Sequence, residues 1–83
     1  MIKIKIGIVD DHSIVRSGLR QFFEDQSDLQ VVGEAASGRE AVEMVRTTDM
    51  DVLLMDVSMP GQTGIDAMAM IRAKAPDLAI LIL

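Results

Sequence analysis

The sequence predicts an α/β fold: an open, doubly wound parallel sheet with strands in the order 2-1-3-4. Three observations lead there. Apolar segments recur about every 25 residues, near Ile4, Val31, Val52 and Ile80, and the stretches between them carry helical spacing, as in βαβ units. The runs at Ile8-Val9 and from Val52 to Met55 are apolar on both faces and close on aspartate, the form of a parallel strand covered on both sides. The 83 residues are 49% hydrophobic and 25% charged, which suits one small folded domain and excludes a multidomain enzyme.

The elements follow in order. Ile4, Ile6 and Ile8 alternate with Lys3, Lys5 and Gly7 in a first strand that ends at Asp10. A first helix is expected from about Ser13 to Gln26, with Ile14, Val15, Leu19, Phe22 and Phe23 on its inner stripe and Arg16, Arg20, Glu24 and Asp25 toward water. Leu29 to Ala35 mixes Val31 and Val32 with Gln30, Gly33 and Glu34, which suits an edge strand. Ser37 and Glu40 form a capping box for a second helix that buries Ala41, Val42 and Val45 and ends near Thr47.

Val52 to Met55 is the third strand and sets Asp56 at its C-terminal end. Thr63 is placed to cap a third helix in which Ile65, Met68 and Ile71 share a face, and Pro76 prevents continuation past Ala75. Ala79 to Leu83 reads as a fourth buried strand. Met44, Met55, Met68 and Met70 are expected to be core or half-buried packing, and Lys3 and Lys5 solvated strand ends.

Composition excludes several functions. With no cysteine, neither a disulfide nor a thiolate metal site is available. A net charge of −5 opposes binding to a phosphate backbone. The longest apolar run, Ala79 to Leu83, falls far short of the roughly 18 to 20 residues of a membrane span. The Ile/Lys alternation at the N-terminus is not a secretory signal, so the expected location is cytoplasmic. Nucleotide binding is not expected, because no Gly-rich fingerprint or phosphate loop occurs.

In the order 2-1-3-4 the first and third strands are neighbours at the reversal of winding, so Asp10, Asp11 and Asp56 should converge on the C-terminal rim without a basic neighbour. Two unit charges about 4 Å apart repel by roughly 4 kcal/mol at an effective dielectric near 20. Such a cluster favours protonation or a bound cation. Oxygen donors that leave room for water suit Mg²⁺, with Mn²⁺ a substitute. Asp56 is the best-placed nucleophile toward phosphorus, while Asp11 would hold the ion directly and Asp10 could act through water. Taken singly, Asp10, Asp11 or Ser13 would more simply cap the first helix, and Asp56 would be a turn residue. The inference rests on their coincidence. His12 reads as a partly exposed neighbour with no assigned role.

Asp10-Asp11-His12 after the first strand, and Asp56-Val57-Ser58-Met59-Pro60-Gly61 after the third, resemble receiver domains of two-component response regulators. Val9-Asp10-Asp11-His12 with Val15-Arg16, and Val32-Gly33-Glu34-Ala35, are similar to the NarL/FixJ (LuxR-type) group. The resemblance implies a flavodoxin-like (CheY-like) fold. It implies Asp56 as phosphoacceptor, Asp10 and Asp11 as the acidic metal pair, and the backbone carbonyl of Ser58 as a further ligand of Mg²⁺. The partner so implied is a sensor histidine kinase. The module is then no enzyme in the turnover sense, since it catalyses only its own phosphorylation and dephosphorylation and passes the signal to a C-terminal DNA-binding domain.

Against the family pattern, residues 1–83 are expected to be the N-terminal two-thirds of a receiver, without the fifth strand, the last two helices or the output domain. The hydroxyl residue expected just after Leu83 and the lysine ending strand 5 would then be absent. The alternative function is a phosphorylation-independent interaction or dimerisation module. A phosphohydrolase is disfavoured, because those enzymes resemble an Asp-x-Asp arrangement whereas Asp10 and Asp11 are adjacent. With strand 4 at the sheet edge, a homodimer or exchanged-strand assembly is expected.

Overall fold

The computed structural model describes residues 2–56 and 64–82. Four strands, β1 (Ile4–Val9), β2 (Leu29–Ala35), β3 (Val52–Met55) and β4 (Ala79–Ile82), alternate with three helices, α1 (Ser13–Glu24), α2 (Gly38–Thr47) and α3 (Gly64–Lys74). All strand pairs are parallel and the order is β2-β1-β3-β4, as the spacing of the apolar segments predicts. No helix among the described residues is long and apolar enough to cross a membrane.

The central strand is buried on both faces. Ile6 and Ile8 join Val31 and Leu54 beneath Leu19 and Phe23 of α1. Val9 points the other way, into a core shared with Leu53, Met55, Ala41, Val42 and Met44 of α2, and Ala67 and Ile71 of α3. Ser37 caps α2 as expected: its Oγ accepts from the Glu40 N–H at 3.2 Å. Glu40 Oε1 in turn accepts from the Ala36 N–H at 3.1 Å, which completes the box one residue earlier than its usual partner.

β2 carries an irregularity. Ile6 pairs with Val31 but Gly7 pairs with Gly33, so Val32 is an extra residue in β2. Because side chains alternate along a strand, the inserted residue turns Gly33 onto the α2 side and Glu34 onto the α1 side. Gly7 and Gly33 then leave a notch that α2 fills. A Cβ at Gly33 would lie 2.7 Å from Met44 Sδ, and one at Gly7 2.8 Å from Met50 Sδ and 3.1 Å from Met44 Cε.

Several expectations need correction. In α1 only Leu19 and Phe23 pack on the sheet core, whereas Ile14 is 86% and Phe22 61% exposed, and Val15 is exposed too. The inward arc instead begins at Arg16, three and seven residues before Leu19 and Phe23, with its side chain only 20% exposed. Phe22 contacts Phe23 edge to face, with ring centroids 5.4 Å apart. The helix ends at Glu24, where the Asp25 N–H still bonds the Gln21 carbonyl.

β4 is not a buried strand: Ala79, Leu81 and Ile82 are exposed, because β4 has a neighbour on one side only and α1 lies over β1 and β2. In α3 Met68 and Ile71 face inward as expected, together with Ala67, whereas Met70 is exposed and the side chain of Ile65 lies outside the described residues. Lys5, expected to be simply solvated, pairs with Asp49 at 3.0 Å. The expected Thr63 cap lies outside the described residues.

Candidate functional site

The sheet delivers two acids to one rim. The Asp10 N–H bonds the Ala35 carbonyl at 3.1 Å and the Asp56 N–H bonds the Val9 carbonyl at 3.0 Å, so the ladder continues one residue past β1 and β3. Each carboxylate therefore starts from a fixed main chain. Asp10 is 4% exposed, and its Oδ1 accepts from the His12 N–H at 2.8 Å and meets His12 Nδ1 at 3.0 Å.

Asp10, Asp11, His12 and Asp56 each offer a ligand atom, and these atoms lie within 4.8 Å of one another. The three acids that the sequence singles out are thus together. Neither Asp10 nor Asp11 caps α1: the N-cap is His12, without a side-chain cap bond. Asp11 Oδ1 is buried and accepts no hydrogen bond. His12 Nδ1, which meets Asp10 Oδ1 at 3.0 Å, also lies 3.0 Å from Asp11 Oδ1 as a charge partner.

A buried carboxylate oxygen without a hydrogen bond, facing two further carboxylates, is the donor set a hard divalent cation favours. The residues present therefore fit Mg²⁺ or Mn²⁺. Ser58, Met59 and Pro60, the other residues expected to shape the site, lie outside the described residues.

Basic neighbours do exist, contrary to expectation. The His12 ring is 64% exposed, and its pKa is raised above the ordinary histidine value by the hydrogen bond to Asp10, then by the negative charge of Asp11, with further help from Asp10 and Asp56. The Arg16 guanidinium donates to the Asp10 carbonyl at 2.6 Å. Arg16 could have been found from its position: it lies one turn after His12, and helical side chains lean back toward the N-terminus.

Over residues 6–83 the chain matches the response regulator receiver domain family. It is 49% identical over 80 residues to the uncharacterized transcriptional regulatory protein YhcZ of Bacillus subtilis (strain 168) and 45% identical to the response regulator UvrY of Escherichia coli (strain K12). Each alignment covers 96% of this chain and 37% of the relative, so the chain spans little more than a third of the length of either relative. The crystal structure of a two-component response regulator of the LuxR family from Aurantimonas sp. SI85-9A1 superposes with a TM-score of 0.90 at 41% identity, covering 96% of this chain and 57% of that one. With the sheet order agreeing with these matches, the chain belongs to the response regulator receiver domain family of two-component systems, among the LuxR/NarL-type regulators.

Proposed function

We propose that Asp56 accepts a phosphoryl group from a phosphohistidine of a sensor histidine kinase, with Asp10, Asp11, Asp56 and the Ser58 carbonyl holding Mg²⁺. The observation that carries this reading is the buried Asp11 Oδ1, which lacks a hydrogen bond and converges with Asp10 and Asp56. A bound Mg²⁺ supplies neutralisation of the charge on carboxylates and phosphoryl oxygens. Asp56 supplies the attacking oxygen: its bond to phosphorus forms as the phosphorus–nitrogen bond of the donor breaks, and the imidazole nitrogen leaves with the electron pair. Hydrolysis of the acyl phosphate restores the carboxylate. Asp10, already engaged by the His12 N–H, is suited to act through water, and Asp11 to ligate directly.

The same reading makes residues 1–83 the N-terminal two-thirds of a receiver whose parent protein reaches DNA through a C-terminal output domain in the cytoplasm, in keeping with the word transcriptional in the name of YhcZ. It also includes self-association through β4, as a homodimer or by strand exchange, because the outer edge of β4 pairs with no strand among the described residues and Leu81 and Ile82 are exposed.

Intact-mass spectrometry of the full-length parent after incubation with acetyl phosphate and Mg²⁺ tests the reading. The expected result is one added phosphoryl group, absent in Asp56→Asn and absent when EDTA replaces Mg²⁺. An unmodified wild-type parent would overturn it.

A further inference from the structure

The rim of acids is tied to β2 through α1. The half-buried Arg16 donates to the Asp10 carbonyl at 2.6 Å, and its Nε lies 3.4 Å from Glu34 Oε1. The other Glu34 oxygen pairs with Arg20, which also reaches Glu24 at 3.5 Å. Glu34 faces α1 because Val32 is bulged out of the pairing: were Val32 to follow Val31 in regular alternation, Glu34 would lie on the α2 side, out of reach of both arginines.

We infer that Arg16 is a positioning residue for the acidic cluster, held in place by Glu34. The peptide unit is planar, so a hydrogen bond on the Asp10 carbonyl also holds the N–H and Cα of Asp11, the base from which the side chain with the unbonded oxygen departs. The charges balance as well. Arg16 and Arg20 are matched by Glu34 and Glu24, so the clamp adds a donor without adding net positive charge to compete with a cation at the rim.

The inference rests on the proposed Mg²⁺ site, and one experiment separates the two. The chain is titrated with Mg²⁺ while the amide ¹H–¹⁵N shifts of Asp11, His12 and Asp56 are followed, for wild type, Arg16→Gln, Arg16→Lys, Glu34→Gln and Asp11→Asn. Loss of an outer partner typically weakens metal affinity about 10-fold or more, so Arg16→Gln should weaken Mg²⁺ by about that factor, Glu34→Gln by less, and Arg16→Lys should recover part of the loss. A merely structural arginine would show no such graded recovery. Should Arg16→Gln fail to fold, the partly exposed Glu34→Gln decides.

Wild-type affinity in both Arg16→Gln and Glu34→Gln, with binding lost in Asp11→Asn, overturns the positioning role and leaves the metal site standing. A wild-type chain that takes no Mg²⁺, or an Asp11→Asn chain that binds as well as wild type, overturns both.

Discussion

Gly7 and Gly33 stand opposite one another on β1 and β2, and the side chain of Met44 from α2 occupies the space their missing Cβ atoms leave. This contact seats α2 against the central strand whose end carries Asp10. Gly7→Ala would meet Met50, Leu53 and Met44 at once, at 2.8 to 3.1 Å. We expect a loss of about 1–3 kcal/mol, the usual cost of overpacking, measured by urea denaturation. Wild-type stability would mean that the methionines yield freely.

Metal removal has a predictable signature. Mg²⁺ at about 100 times its dissociation constant should stabilise the chain by about 2.7 kcal/mol over the EDTA-treated state. Asp11→Asn should lose that increment and, relieved of one charge at the rim, be no less stable than wild type in EDTA. Thermal unfolding by circular dichroism with and without Mg²⁺ reads both effects.

The His12 ring offers a pH test in the metal-free chain. Its pKa is raised, so its contribution to stability is fully present below the unfolded histidine value and is lost as pH rises through the folded one. An NMR titration in EDTA should place the midpoint above about 6.5, and Asp10→Asn, which removes the principal cause, should bring it down. An unmoved midpoint in that variant would rule out the Asp10 bond as the cause.

Ser37→Ala removes the acceptor of the Glu40 N–H at the start of α2 and should cost about 1 kcal/mol in chemical denaturation. Ser37→Asp, which keeps an acceptor, should cost much less.

Self-association should be visible by light scattering as a rise in average mass with concentration. Leu81→Lys, which places a charge on the exposed edge strand, should suppress it. A wild-type chain that stays monomeric throughout would remove β4 as a contact.

Much of this arrangement was legible in the sequence because it depends on strand ends. Asp10 and Asp56 follow apolar runs, and once the order 2-1-3-4 is assumed their meeting follows from topology. The orientation of α1 was not legible. Phe22 and Phe23 are equally apolar, both arcs of the helix hold aliphatic side chains, and only the sheet decides that Arg16, Leu19 and Phe23 turn inward while Ile14 and Phe22 face out. The bulge was hidden as well, since Val31 and Val32 are chemically alike and Gly33 alone hints at an irregularity. The exposure of β4 escaped because burial is a property of neighbours, and Ile80 and Leu81 look the same in isolation.

Val32 is a residue of β2 that the pairing with β1 does not need. Deleting it would bring Val31, Gly33 and Glu34 into unbroken register with Ile6, Gly7 and Ile8, with the glycine still beneath Met44 and the carboxylate still opposite Arg16. A frame-preserving loss of that single codon would therefore spare both the interior and the acidic rim, whereas forcing Val32 into the regular alternation would send the Glu34 carboxylate toward α2 and disturb both.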